Sequence, residues 1–506
     1  MFKTWGRACW LVMLAGCDGQ ASSALSKGDA GPMLSIGETR RMQREGIVNG
    51  MAQAGAAGVA PIVDIGMSLG AAGAASSAAD DAGPSGGAAA PVRDMTMDIG
   101  TVTPVEVEVP DTSDEVFRDD RLSTYALTIS TTDWNTLQKT ALDEIYVPAT
   151  LNVDGQTIGK VGVRYKGSYT LSTCFEEGKQ VCRKVSLKVK FDEYDSNLRH
   201  HGLKRLNFHS AILDHSHLHE RLSYKLFRDF GVLAPRSVHA RVMINGSYAG
   251  LYNLTEEVDG RFTDHHFPGK EGDGTLYKEV WPSTSQAPDY FAKGQQTNEG
   301  APVTKIVSFA TEIASAKSNT LGQVVSRWMD MNEVLRYLAV HTAVKHWDGP
   351  LTFWCAEGQG CINHNYYLYE SPSQNRFSIV AWDMDNTFYD EVQTDQESVP
   401  AWWEPSSQCI RDGSKRFLPP ACDKLVQGFN QLGGDAFRGA MAKLLAGPYQ
   451  DAALQADIDR WAKQIDEAVK SDPHGSGYED WKGSVIGLKS AVATFRARAK
   501  AVRDGQ

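Results

Sequence analysis

Between Leu11 and Val116 the chain contains no Phe, Trp or Tyr. It holds 12 Trp, 17 Tyr and 18 Phe, and all but Phe2, Trp5 and Trp10 follow that stretch, so a packed core can form only from Phe117 onward. Ala and Gly dominate from Gln53 to Ala90. Such residues bury too little apolar surface to offset the entropy of ordering their backbone. Residues 18–116 therefore read as a low-complexity tether and 117–506 as the folded domain.

Ahead of the tether, Lys3 and Arg7 precede a short apolar stretch from Ala8 to Ala15, the order found in a secretory signal. Leu14-Ala15-Gly16-Cys17 closes it and resembles a bacterial lipobox, in which Cys17 is lipidated and becomes the first residue of the mature chain. Residues 1–17 are thus expected to direct export. Acyl chains on Cys17 would then hold a periplasmic or surface lipoprotein at a membrane. No apolar run reaches the roughly 18 residues that a spanning helix needs. The net charge of -11, from 51 basic and 62 acidic residues, offers no footprint for a nucleic-acid backbone.

Beyond Cys9 and Cys17, six cysteines fall in local pairs: Cys174 with Cys182, Cys355 with Cys361, and Cys409 with Cys422. An even number in an exported chain suggests disulfides, although six cysteines permit about 15 connectivities. Zinc is the competing idea, but no pair has C-x2-C spacing and none has a matching His pair nearby.

The first half of the folded part is strand-rich. Ala149 to Val153 and Thr157 to Lys166 flank an Asp154-Gly155 turn, and Lys184 to Phe191 alternates Val185, Leu187, Val189 and Phe191 with polar residues. After a short strand at Lys204 to Phe208, Leu218, Leu222, Leu226 and Phe230 recur at helical spacing within Asp214 to Phe230, ahead of Gly231. Ser237 to Ile244 and Tyr248 to Leu254 are joined through Asn245-Gly246, a strong hairpin signal. Helical patterns follow near Asn332 to His346, Asp451 to Val469 and Trp481 to Val502.

Several segments, in this order, resemble the spore coat protein H (CotH) kinase family: Lys184 to Phe191, the helix with Glu220-Arg221-Leu222, Ile244 to Tyr252, Glu256-Glu257-Val258-Asp259, Gly274 to Lys278, His364 to Tyr369 and Ala381 to Asp385. The resemblance spans roughly Ala149 to Tyr389. It implies an α+β fold, a two-lobed atypical protein-kinase-like domain with an antiparallel-sheet N-lobe and a mainly helical C-lobe. It also implies transfer of the γ-phosphate of ATP, with Mg2+ or Mn2+, to Ser or Thr hydroxyls of surface or coat proteins.

Phosphoryl transfer needs cations against the phosphates, carboxylates for the metal and a base for the attacking hydroxyl. The resemblance assigns Lys188 to the phosphates, with Lys190 on the same strand face as its rival, and Glu220 to orient the lysine. Asp383, after the apolar strand Phe377 to Trp382, would bind the metal, and Asp385 could share it. Asp348 would be the base and Asn365 the second metal ligand, with Asn363 as substitute because a long insertion separates Asp348 from Asn365. Arg164, in Arg164-Tyr165-Lys166-Gly167-Ser168, and Lys278 are further nucleotide candidates. Glu256 and Glu257 lie where a kinase hinge meets adenine, and there the backbone would do the bonding.

His209, His215, His217 and His219 invite a metal reading, but no third ligand completes a site on their face, and they read as surface histidines. Two other functions compete. Phe377 to Thr387 also resembles the strand-DxDxT opening of haloacid-dehalogenase-type phosphatases, with Asp383 as nucleophile and Asp385 as acid/base. A kinase-like scaffold could instead serve only as a surface adhesion or binding module, since ATP is scarce outside the cytoplasm.

Overall fold

The computed structural model describes residues 110–176, 179–356, 360–389, 401–404, 406, 409 and 416–506. The expected signal with Cys17 and the expected tether up to residue 109 lie outside the described residues.

Seven strands build the first half: β1 (Ser123–Thr128), β2 (Val147–Val153), β3 (Gln156–Tyr165), β4 (Leu187–Lys190), β5 (Arg205–His209), β6 (Ser237–Ile244) and β7 (Ser247–Glu256). They pair in the order β1-β2-β3-β4-β5-β7-β6 and close on themselves. All neighbours are antiparallel except β1 and β6, which pair in parallel with Tyr125 opposite Val242. The sheet expected to be an antiparallel layer is therefore a barrel, and that one parallel seam removes its open edges. Alternation sends Tyr125, Leu127, Leu151, Val161, Val163, Leu187, Val189, Leu206, Phe208, Ala240 and Leu254 into the barrel core. The β6–β7 turn is Asn245-Gly246, with φ of 49° and 80° as a type I′ turn requires. The Asn245 amide oxygen also accepts the Ile129 N–H at 2.7 Å, tying the hairpin to the end of β1.

Helix α1 (Thr131–Lys139) leans on β2, and α2 (Tyr169–Thr173) opens the loop stapled by Cys174–Cys182. Helix α3 (His219–Asp229) leaves the barrel after a turn organised by Asp214, whose buried carboxylate accepts N–H bonds from Ser216 and His219 at 2.9 Å. That turn explains why the helix starts at His219 rather than Asp214. Its Leu222, Leu226 and Phe227 join a second, larger core.

The second half holds α4 (Gly260–His266), β8 (Thr275–Lys278), α5 (Pro288–Ala292), α6 (Thr304–Ser315), α7 (Leu321–Trp328) and α8 (Met331–Ala343). Strands β9 (Phe353–Ala356), β10 (Gly360–Ile362), β11 (Tyr366–Glu370), β12 (Phe377–Ala381) and β13 (Phe417–Leu418) follow, then α9 (Lys424–Asn430), α10 (Gly434–Ala446), α11 (Asp451–Lys470) and α12 (Tyr478–Arg503). Two small antiparallel sheets, β8-β11-β12 and β10-β9-β13, sit among these helices. The cysteines pair locally as Cys174–Cys182, Cys355–Cys361 and Cys409–Cys422, which leaves no thiolates there for zinc. Among the described residues no helix is long and apolar enough to cross a membrane.

Barrel and C-terminal helices are locked by a buried ion pair. Lys184 Nζ lies 3.0 Å from Asp472 Oδ2, with side chains only 4% and 1% exposed, and it donates to the Leu251 carbonyl at 2.6 Å. Removing one partner of such a pair leaves the other charge buried. Lys184→Met should lower unfolding free energy by about 3 kcal/mol. Lys184→Met with Asp472→Leu should recover much of that loss, as read by urea denaturation.

Candidate active site

On the barrel side, Lys188 of β4 places its ammonium 2.5 Å from Glu257 Oε1, just beyond β7. Asn207 Nδ2 of β5 donates to Glu257 Oε2 at 2.7 Å. Burial alone would raise the Glu257 carboxyl, but Lys188, Lys166 and Asn207 outweigh it and hold it at about 2. Lys166, directly after β3, sets its Nζ 2.7 Å from His209 Nε2 and 5.4 Å from the centre of the Trp382 ring. Burial and repulsion from Lys188 lower its ammonium to about 8, with Lys278 adding to the depression and Glu257 and Asp383 opposing it.

Glu220, in the first turn of α3 and 2% exposed, accepts from His209 Nδ1 and the Thr255 hydroxyl, each at 2.8 Å. Burial would push this carboxyl up, yet His209, Thr255 and Lys166 keep it below its ordinary value.

The helical half supplies the acids. Past α8, Lys345 takes a left-handed φ of 52° and the chain turns to present Asp348. Its Oδ1 accepts from His364 Nε2 at 2.9 Å and Trp354 Nε1 at 3.1 Å; its Oδ2 accepts from Asn365 Nδ2 at 3.2 Å and Asn386 Nδ2 at 3.4 Å. Gly349 beside it is pressed against the His346 ring, where any Cβ would collide. Burial would lower His364, but the Asp348 carboxylate raises its imidazolium to about 9. Trp354 comes from the β9–β10 hairpin, in which Cys355 and Cys361 face each other and are disulfide-bonded.

Asp383 follows β12 with φ of 59°. Its N–H donates to the Tyr224 hydroxyl at 3.0 Å, and its carbonyl accepts from His346 Nε2 at 3.1 Å, so the turn is held from two sides. Burial raises its carboxyl, and Glu220 and Asp348 add to the rise while the Lys166 ammonium opposes it. Asp385 lies well above the carboxylate range through burial, then repulsion from Asp383, Glu220 and Asp348. The same turn is tied to α3, since the Thr387 carbonyl accepts from His219 Nδ1 and its hydroxyl meets Ser223 Oγ, both at 2.6 Å.

These fields link Lys188, Lys278, Glu257, Glu220, Asp348, Asp383 and Asp385 in one neighbourhood. Asn365 joins it through Asp348, whereas Asn363 bonds the Pro350 carbonyl at 2.7 Å and the Tyr366 hydroxyl at 3.3 Å, a purely internal position. Three expectations need correction. Lys188 pairs with Glu257 and not with Glu220, so the Glu257 side chain is engaged rather than incidental; Glu256 likewise bonds Arg236 Nε at 3.1 Å. Lys190 turns to Glu193 at 2.7 Å, and Arg164 to Glu144 at 2.7 Å, because both lie toward the Tyr146 ring. The histidines expected at the surface are drawn inward: His217 and His219 are buried, His209 bridges Lys166 and Glu220, and His215 meets Asp480 at 2.7 Å.

Sequence reasoning passed over Lys166, Asn207 and Trp354 as site residues. Lys166 could have been singled out as a cation at a strand end before Gly167. Trp354 lies in the insertion, and nothing in its sequence places it against Asp348. The phosphatase alternative finds no matching scaffold, because β12, which leads to Asp383, is the edge strand of a three-stranded antiparallel sheet rather than the opening strand of a core domain.

No group of three or more His, Cys, Asp or Glu side chains is placed to hold a metal among the described residues. Mg2+ in nucleotide sites takes one or two carboxylates and completes its shell with phosphate oxygens and water. Asp383 and Asp385, two buried carboxyls two residues apart and both raised chiefly by burial, with Asp383 adding to the rise of Asp385, are the donor set such an ion would relieve, so the residues fit.

The sequence model of the family described as CotH kinase protein matches residues 163–499. The chain belongs to the CotH kinase protein family. It is also 23% identical over 281 residues to the inner spore coat protein H of Bacillus subtilis (strain 168), covering 53% of this chain and 69% of that protein. A solved structure of the Shewanella oneidensis MR-1 toxin–antitoxin system HipA with HipB and operator DNA matches at 14% identity, covering 68% of this chain and 74% of that one. Its TM-score is 0.26.

Within this CotH domain, the Lys188–Glu257 pair has a pH signature. Glu257 is more acidic folded than its ordinary 4.5, so its contribution is complete above that pH and fades as pH falls toward 2. Glu257→Gln should cost on the order of 3 kcal/mol at pH 7. The gap from the parent should narrow between pH 4.5 and 3 in denaturant titrations; a constant gap would refute the assignment.

Proposed function

We propose that this chain is an exported, ATP-dependent protein kinase that moves the γ-phosphate of ATP to Ser or Thr hydroxyls of coat or surface proteins. The observation that carries this is that Lys166, which feels Lys188 and Lys278 on one side, feels Asp383 on the other, while Asp383 in turn feels Asp348 and acts on Asp385. Cations facing a cluster of acids suit a triphosphate and its metal better than either group alone. Membership of the CotH family and the three disulfides support the reading, the latter because disulfides persist in oxidising compartments. The lipobox at Cys17 would supply a membrane anchor, with 1–17 as signal, 18–116 as tether and 117–506 as catalytic domain.

In this scheme Lys166 and Lys188 take the phosphate oxygens, and Lys278 adds positive potential at their rim. A bound Mg2+ or Mn2+ supplies charge neutralisation and a template for the phosphates. Asp383 and Asp385 are the carboxylates that would hold it, with Asn365 beside Asp348 as a third oxygen donor. Asp348 orients the acceptor hydroxyl and takes its proton as the oxygen bonds the γ-phosphorus and the bond to ADP breaks. Four donors on Asp348 fix its carboxylate plane for that task.

The test is metal-dependent transfer from terminally labelled ATP by the full chain. Asp348→Asn should lower transfer by about 100-fold or more while nucleotide binding persists. Asp383→Ala should abolish it. No label with any divalent metal would favour the adhesion module, and release of phosphate from small phosphomonoesters would favour the phosphatase.

A further inference from the structure

We propose that His209 is a positioning residue that relays the carboxylate of Glu220 to the ammonium of Lys166, so that a Lys–His–Glu chain holds the phosphate-facing lysine where kinases use a direct Lys–Glu ion pair. This rests on the kinase reading for its purpose, but the chain itself stands on geometry. Lys166 Nζ is 2.7 Å from His209 Nε2, and His209 Nδ1 is 2.8 Å from Glu220 Oε1 and 3.0 Å from Oε2. Among the described residues Lys166 makes no ion pair of its own, and the imidazole fills the gap to the nearest carboxylate on α3.

The direction of the chain follows from donor inventory. An ammonium carries only donors, so Nε2 of His209 accepts and its proton sits on Nδ1, which donates to Glu220. A carboxylate behind a neutral imidazole enriches the distal nitrogen, as second-shell acids do for metal-bound histidines. The ring is kept in register by the pairing of His209 with Asn253 and by an edge-on contact to Trp382 at 5.9 Å. Glu220 is in turn fixed by Thr255, and its helix by His219 and Ser223 on Thr387. The position of α3, and with it the Asp383 turn, therefore reaches Lys166 through one imidazole.

Glutamine can replace this link, because its amide oxygen accepts from Lys166 while its nitrogen donates to Glu220; phenylalanine keeps the ring and loses both bonds. Two measurements on the full chain test the proposal, comparing the parent with His209→Gln and His209→Phe, and with His209→Leu should the Phe variant fail to fold. The first needs no nucleotide: acetic anhydride labelling of Lys166, read by peptide mass spectrometry against exposed Lys139. Lys166 should react at least fivefold faster in His209→Phe and at nearly the parental rate in His209→Gln; equal rates in all three would overturn the relay. The second is ATP affinity with Mg2+, which should fall at least tenfold in His209→Phe and stay within threefold in His209→Gln, with unchanged unfolding midpoints. Parental affinity in His209→Phe would overturn the positioning role. A parent that binds no ATP would sink the kinase reading instead, and labelling alone would then decide the relay.

Discussion

A carboxylate with 2% of its side chain exposed is the constraint around which this fold is arranged. Leaving Glu220 charged in the interior is tolerable only if every lone pair finds a donor. Those donors come from β5 through His209 and from β7 through Thr255 and Asn253, so the helix must dock against the one barrel wall where these strands adjoin. Lys166, drawn to the same imidazole, fixes the end of β3 there as well. The floor of the candidate site thus follows from satisfying one acid.

Much of the scaffold was legible because it obeys simple periods. Alternation located β3, β4, β6 and β7, and Asn245-Gly246 located their hairpin; helical spacing located α3, α8, α11 and α12 to within a few residues. The barrel was not legible. Closure depends on β1 pairing with β6 across more than a hundred residues, and a parallel seam has no local turn to announce it. Helices α6, α7 and α10 went unread as well; they fill the larger core with apolar faces that no neighbouring motif had marked out.

For the candidate site, the family resemblance brought segments forward but misassigned the partners of some of their residues. Strand alternation puts Lys188 and Lys190 on one face and says nothing of which acid each will meet. The structure sends the first to Glu257 and the second to Glu193. The four histidines looked like a possible metal set because they are close in sequence. The turn at Asp214 and the left-handed His217, with φ of 63°, spread them over separate surroundings. Asp348 and Asp383 were put forward because each follows an apolar element, and Asn365 came forward only through the family resemblance.

The buried bond between Lys184 and Asp472 also says how this molecule can move. Rocking the barrel away from the C-terminal helices would strand an ammonium and an acid in apolar surroundings. Wholesale jaw-like opening is therefore expensive, so the two walls act as a fixed vice. Any motion the fold allows is thus confined to small local rearrangements of short segments rather than to swinging halves.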